Sequence, residues 1–117
     1  EVSVLPTLPT LQASFEYDTP VAGQDNKVHV SGKFSEDVTE NTFVAVTFYD
    51  VSSAINTISY TSTFDCTGSA CKIKAGDPFT QTVDVQIPGN KDTYLMMVEV
   101  SNSNTDILGC TFTLLTL

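Results

Sequence analysis

Hydrophobic and polar residues alternate along most of the chain with a period of two. In the segment 79–87, apolar residues alternate with polar ones until Pro88 and Gly89 end the run. Successive side chains of a β-strand point to opposite faces, so this pattern predicts a strand with one apolar face. Further strands are predicted over 11–17, 27–34, 41–49, 55–64, 94–100 and 107–117, and no segment shows a convincing helical period. The segment 41–49 is apolar on both faces, which predicts a strand buried on two sides.

Seven predicted strands, separated by turn residues at intervals of roughly ten to fifteen residues, favour an all-β fold, an antiparallel β-sandwich. The chain has 117 residues, which is enough for one hydrophobic core and too few for two. Pro6 and Pro9 predict an extended lead-in over residues 1–10, because proline cannot donate to a sheet. The single domain is therefore expected to span residues 11–117.

The charge balance excludes one class of partner. Fourteen Asp and Glu residues oppose five Lys and no Arg, which gives a net charge of −9. A nucleic-acid-binding protein needs a basic surface, so nucleic acid is excluded as a partner. The same charge repels anionic bilayers, so membrane contact is expected to be transient and to become easier as the pH falls. No apolar run approaches the length of a membrane-spanning helix, and any signal peptide is expected to have been removed already.

The three cysteines predict an oxidising compartment. Cys66 and Cys71 bracket a four-residue loop that can bring two sulfurs to disulfide distance. A metal site is the alternative, but the chain holds a single histidine, His29, and the ligand set is incomplete. Cys110 is interpreted as a buried thiol that packs like a small apolar residue. An intermolecular disulfide, or a partner lost upstream of Glu1, remains open for it.

The segment from Cys66 to Cys110 resembles a known family. Its disulfide loop and following strand read CTGSACKIKAG over residues 66–76, and Lys72 stands where the family often has Pro. A strand ending in Ile-Pro-Gly at 87–89, one ending in Val-Glu-Val at 98–100, and Leu-Gly-Cys at 108–110 follow in the same order. This arrangement is similar to the ML lipid-recognition domain family, which includes the Niemann–Pick type C sterol carriers and the fungal phosphatidylglycerol/phosphatidylinositol transfer proteins. Residues 1–65 lack the cysteines that family members usually carry there.

The resemblance implies an immunoglobulin-like sandwich of about seven strands that holds a lipid, a sterol or phospholipid, in a cavity between its sheets. It also implies a protein that is secreted or resides in the vacuolar or lysosomal lumen. Lys72 and Lys74 are the candidates for contacting a phosphate or carboxylate headgroup, and the alternative for both is a solvated strand rim. The apolar candidates for lining the cavity are Phe34, Phe48, Phe64, Phe79, Tyr94, Met96, Val98 and Phe112. No cofactor or metal is implied, and the protein is expected to be a monomer, with a Cys110-linked dimer as the alternative.

Two other interpretations remain open. The same apolar residues also describe the core of a closed β-sandwich, which would be a secreted interaction module without a cavity. An enzyme is not expected, because the chain has no hydrolase elbow, phosphate-binding loop or zinc-protease motif. Cys110 and His29 could form a nucleophile and base, but no third residue is available to orient them. His29 is otherwise interpreted as a surface residue, with acid sensing as its alternative role.

Overall fold

The computed structural model describes residues 11–17, 19–34, 36–38, 41–52, 57–64, 73–102 and 107–117. These residues form seven β-strands: β1 (Gln12–Phe15), β2 (Asp25–Lys33), β3 (Phe43–Asp50), β4 (Thr57–Thr63), β5 (Pro78–Gln86), β6 (Thr93–Ser101) and β7 (Ile107–Thr116). A three-stranded sheet has the order β1-β2-β5, and a four-stranded sheet has the order β4-β3-β6-β7. Every pairing is antiparallel. The predicted all-β fold with two antiparallel sheets is confirmed.

The two sheets bury their facing sides against each other because each strand places every second residue on that side. In β6, Tyr94, Met96, Val98 and Val100 are all buried, while the residues between them are partly exposed. The register pairs Val98 with Val46 of β3, so the inner face continues from strand to strand. In the other sheet, Val28 and Val30 of β2 and Val83 of β5 are completely buried. The core therefore lies between the sheets, as the alternation predicted.

Antiparallel pairing brings the ends of neighbouring strands and the loops that join them to two opposite ends of the sandwich. We call one of them the Phe34 end. Here β2, β4 and β6 finish, and β1, β3, β5 and β7 begin. Gly76 makes the turn before β5 with a φ of 85°, and its backbone N–H donates to the carbonyl oxygen of Phe34 at 2.8 Å. Glycine adopts this left-handed conformation without strain, so the turn brings the start of β5 to the end of β2.

Among the described residues no second sheet packs on the outer side of the four-stranded sheet, and this overturns part of the prediction for the segment 41–49. Val44, Val46 and Phe48 of β3 are buried between the sheets, but Tyr49 on the outer side is 37% exposed. The expectation that this strand is buried on two sides is wrong at Tyr49. The physical reason is that the three-stranded sheet packs against the inner side alone. None of the described residues forms a helix long and apolar enough to cross a membrane.

Candidate functional site

Seven of the eight side chains proposed to line a lipid cavity point into the space between the sheets. They are each at most 5% exposed: Phe34, Phe48, Phe64, Phe79, Tyr94, Met96 and Val98. Their common orientation follows from the period-two alternation of their strands and from the residues that directly flank the strand ends. Their contact with a lipid stays a prediction, since burial alone is equally compatible with a closed core.

Three of these aromatic rings form a cluster at the Phe34 end. The rings of Phe34 and Phe79 stack with their centroids 4.4 Å apart and an interplanar angle of 18°. Phe64 meets Phe79 at 5.5 Å and approaches Phe34 edge-on at 6.2 Å. Aromatic pairs at these distances add about 0.5–1.5 kcal/mol beyond the burial of their area. The cluster therefore fills the interior beneath the loops of this end.

A second group lies further along the sandwich on β3, β4 and β6. Phe48 stands opposite Met96 in the β3–β6 register, and the ring of Tyr60 on β4 meets Phe48 edge-on at 6.3 Å. The Tyr94 hydroxyl donates to the carbonyl oxygen of Asn90 at 3.1 Å. Burial, followed by the nearby charge of Asp50, raises the pKa of the Tyr94 phenol, which therefore remains neutral. This group offers an apolar surface, and the hydroxyls of its two tyrosines, Tyr94 and Tyr60, both have hydrogen-bonding partners.

Phe112 does not belong to the interior, and its assignment as a cavity-lining residue is wrong. Its register partner on β6 is Met97, which lies on the outer side of the four-stranded sheet. Opposite residues in an antiparallel pair share a face, so Phe112 also points outward, and it is 46% exposed. The alternation along β7 places Phe112 and Leu114 on one face, which predicts that this face is the buried one. In the structure the side chain that packs against the core is Leu115, which points to the other face.

The two sheets meet along β4 and β5, and the hydrogen bonds between these strands come from side chains. The Gln81 amide donates to Ser62 Oγ at 2.8 Å and to the carbonyl oxygen of Thr63 at 3.3 Å. The Tyr60 hydroxyl donates to the carbonyl oxygen of Gln86 at 3.2 Å. The described residues of β4 and β5 share no backbone–backbone hydrogen bond. We call this line of contact the β4–β5 seam.

The residues of the β4–β5 seam were not singled out from the sequence, although one of them carried a signal. Gln81 lies opposite Val30 in the β2–β5 register and so occupies an inward position among apolar residues. A polar side chain at such a position needs a hydrogen-bonding partner, and here the partner comes from the other sheet. A surface groove of about 520 Å³ lies beside the seam, with Tyr17, Tyr60 and Gln86 among its lining residues.

The proposed headgroup and disulfide residues are only partly described by the structure. Lys74 lies close to the Phe34 end, where its ammonium group is 3.9 Å from an oxygen of Asp37 and largely exposed. The same aspartate accepts a hydrogen bond from the backbone N–H of Ala75 at 2.7 Å. Lys72, Cys66 and Cys71 lie outside the described residues, so the headgroup contact of Lys72 and the disulfide remain predictions.

Cys110 and His29 do not form a catalytic pair. Cys110 is opposite Glu99 on the four-stranded sheet, is 8% exposed and forms no disulfide within the described part of the chain. Burial, followed by the charge of Glu99, raises the pKa of its thiol and keeps it protonated. His29 lies on the outer side of the other sheet, where its ring nitrogens contact Glu16 at 3.2 Å and Thr82 at 3.1 Å. The interpretation of Cys110 as a buried thiol is confirmed.

The described residues limit what chemistry the interior can perform. Each of their buried side-chain nitrogen and oxygen atoms has a hydrogen-bonding partner, so none is left pointing unpaired at a ligand. Within this part of the chain, no three His, Cys, Asp or Glu side chains converge on a possible metal position. The arrangement can hold an apolar molecule through dispersion and burial of surface.

Comparison with known proteins supports the fold and leaves the family open. The chain matches no protein-family model and no curated protein sequence. Among solved structures it is similar to chicken MD-1 complexed with lipid IVa, with a TM-score of 0.59 and 14% sequence identity. That similarity covers 97% of this chain and 85% of MD-1. It is also similar to the sporulation control protein Spo0M from Bacillus subtilis, with a TM-score of 0.51 and 13% identity over 93% of this chain and 49% of that one.

Both structures are less than 25% identical in sequence to this chain, so the comparison establishes the architecture alone. The likeness to MD-1 agrees with the ML-like β-sandwich expected from residues 66–110. Membership of the ML family stays a prediction. The fold and the apolar interior together define the class of protein as a two-sheet β-sandwich with a structural relative that was crystallised with a lipid.

Proposed function

We propose that this protein binds one sterol or phospholipid non-covalently between its two sheets and exchanges it at membranes. The observation that carries the proposal is the apolar layer between sheets that are joined along the β4–β5 seam by side-chain hydrogen bonds. The sequence resemblance to lipid-recognition domains and the likeness to lipid-bound MD-1 support it. Secretion, or residence in a vacuolar or lysosomal lumen, is proposed with it.

The energy of opening the seam is small compared with the energy of burying a lipid. Each hydrogen bond across the seam contributes about 1 kcal/mol net, so releasing the three hydrogen bonds of Gln81 and Tyr60 costs about 3 kcal/mol. Burial of apolar surface contributes about 0.8 kcal/mol for each methylene group. About four buried methylenes therefore offset the opening, and an acyl chain or sterol supplies several times that number. The apolar side chains that separate as the sheets move apart then pack against the lipid.

A bound lipid would meet both apolar and charged groups at the Phe34 end. The aromatic cluster of Phe34, Phe64 and Phe79 offers flat rings for the apolar part nearest the Phe34 end. Lys74, close to the same end, would attract a phosphate or carboxylate headgroup. Its interaction with Asp37 is solvent-exposed and therefore weak, so a headgroup can compete for the ammonium group.

Native mass spectrometry of the freshly purified protein tests the proposal directly. We expect an adduct of lipid mass at one-to-one stoichiometry, which solvent extraction then identifies. Protein supplied without lipid is expected to take up sterol or phospholipid from vesicles. A bare chain of 12.6 kDa that takes up neither would contradict the proposal.

A matched pair of substitutions on β6 tests whether the lipid occupies the interior. Val98→Phe adds volume on the inner side, where Val98 is completely buried, and is expected to weaken lipid binding at least about tenfold. Leu95→Phe places the same aromatic ring on the outer side of the same strand and is expected to leave binding unchanged. Circular dichroism reports whether each variant is folded. If Val98→Phe loses its cooperative fold, the interior is a closed core.

The second candidate function is a protein-interaction module without a ligand cavity. The exposed apolar side chains on the outer side of the four-stranded sheet favour it, because isolated monomers rarely expose contiguous apolar surface without a function. Binding of a partner through the outer side would not by itself exclude a lipid, since the outer surface and the interior lie on opposite sides of one sheet.

A further inference from the structure

An apolar strip runs along the outer side of β6 and β7. Leu95 lies opposite Leu114, and Met97 lies opposite Phe112, so the four side chains form two adjacent rows. Tyr49 of β3 borders the strip opposite Leu95. Leu114 is 67% exposed and Phe112 is 46% exposed. We call this surface, Leu95, Met97, Phe112 and Leu114 with Tyr49 at its border, the β6–β7 strip.

The sheet face around the β6–β7 strip is almost free of charge, in a protein whose net charge is −9. The paired positions on this outer side of β3, β4, β6 and β7 carry apolar and hydroxyl side chains, and Glu99 is the single acidic or basic residue among them. The outer side of the three-stranded sheet differs sharply. It carries the ion pair of Lys27 with Asp84 and the contact of His29 with Glu16. Charge and apolar surface are therefore separated onto the two outer faces of the sandwich.

We propose that the β6–β7 strip is the interface of a non-covalent homodimer, in which two copies of this chain stack their four-stranded sheets face to face. A twofold axis places the apolar strip of one copy on the apolar strip of the other, and the hydroxyl-bearing positions of β3 and β4 at the rim. An apolar centre that includes Phe, Tyr and Met and a polar rim are the usual composition of a protein interface.

The distribution of charge favours a second copy over other occupants. Sheets pack about 10 Å apart, so stacking two sandwiches in this way separates the two charged outer sheets by about 30 Å. The Debye length at physiological salt is about 8 Å, so the repulsion between those sheets is screened. A strongly basic partner would find one carboxylate, Glu99, on this face and would gain little. A bilayer would meet a flat sheet rich in hydroxyl groups and would likewise gain little from binding it.

The proposed dimer does not depend on lipid binding and does not involve a disulfide. The strip lies on the opposite side of the sheet from the interior, and the β4–β5 seam lies at the far edge of the sheet from β7. Cys110 is buried with a raised pKa, so its thiol is poorly placed to link two chains. The proposed non-covalent dimer departs from the expected monomer and differs from the Cys110-linked alternative.

Sedimentation velocity under reducing conditions, from low micromolar to several hundred micromolar protein, tests the proposal. We expect wild-type protein to shift with concentration toward twice its mass of 12.6 kDa. Leu114→Asp introduces two charges into a twofold interface, one from each copy, and is expected to weaken association at least about tenfold. Leu114→Thr retains a β-favouring residue and tests the loss of apolar surface alone, with a smaller weakening expected.

Thr80→Asp is the matched control, because it adds the same charge at an exposed position on the outer side of the other sheet. It is expected to associate like wild type. Circular dichroism and thermal melting establish that each variant is folded. The proposal is overturned if wild-type protein stays monomeric throughout, or if Leu114→Asp associates as well as Thr80→Asp. Monomeric protein that binds zwitterionic vesicles through Phe112 and Leu114 would also overturn it, since the strip would then be a membrane-binding surface.

Discussion

Gly32 lies on β2 beside Leu11, and its missing side chain sets how closely the two approach. A β-carbon at this position would lie 3.0 Å from Leu11 Cδ2 and 3.5 Å from a ring carbon of Phe79. Its φ of 157° is a value that other residues rarely adopt. The backbone N–H of Leu11 also donates to the carbonyl oxygen of Cys110 on β7 at 3.3 Å. Gly32 therefore helps the start of the domain to pack across the gap between the two sheets.

We expect Gly32→Ala to reduce the free energy of unfolding by about 1–3 kcal/mol, because the new methyl group crowds Leu11 and strains the backbone. Urea denaturation followed by circular dichroism measures the change. Gly89→Ala is the control, since a β-carbon there meets no atom within 4 Å, and it is expected to change stability by less than about 0.5 kcal/mol. Equal stability of the two variants would show that Leu11 does not pack against β2 in solution.

At the scale of the elements, the sandwich has strong and weak connections. Within each sheet, neighbouring strands share backbone ladders of four to nine paired residues. Across the β4–β5 seam, Gln81 and Tyr60 supply the hydrogen bonds from their side chains. Side-chain bonds can be released without unpairing a strand, so opening this seam would leave the backbone ladders of both sheets intact.

We expect Gln81→Ala to accelerate lipid uptake several-fold, because it removes the hydrogen bonds to Ser62 and Thr63 that hold the seam closed. Stopped-flow uptake of a fluorescent phospholipid measures the rate. Gln86→Ala is the matched control on the same strand: its amide donates to the Gly23 carbonyl oxygen at 3.2 Å, and the backbone acceptor of Tyr60 is retained. Unchanged uptake by Gln81→Ala would place the entry of lipid elsewhere, while lipid binding itself would still be measurable.

At the scale of the whole molecule, the excess of acidic residues governs approach to a membrane. The net charge of −9 repels anionic bilayers over a distance set by the salt concentration. Lys74, close to the Phe34 end, acts in the opposite direction, since its ammonium group would attract phosphate at close range. The two effects have opposite salt dependence, so an experiment can separate them.

We expect lipid transfer to anionic vesicles to become faster when salt is raised from about 10 mM to about 150 mM, because the Debye length falls from about 30 Å to about 8 Å. Transfer to zwitterionic vesicles is the control and is expected to change little. A fluorescence-dequenching transfer assay measures both rates. Slower transfer at high salt would indicate that attraction by lysine side chains such as Lys74 outweighs the net charge.

Much of the fold could be predicted from the sequence because the period of a strand leaves a direct record in it. The alternation over 79–87 and 94–100 identified β5 and β6, and it placed Phe79, Met96 and Val98 on their buried faces. The alternation failed to predict which face is buried where apolar residues occupy both faces of a strand. On β7, Leu114 and Leu115 are equally apolar, and the sequence gives no reason to choose which of them faces the core.

The chain by itself determined the strands, the all-β fold class and the excess of negative charge, because these depend on local alternation and on composition. The tertiary structure decided the outward orientation of Phe112, the pairing of Gln81 with another sheet and the nearly uncharged outer face of β3, β4, β6 and β7. Each of these depends on which strand lies beside or above another. That information resides in contacts between residues far apart in the chain, and a period of two carries none of it.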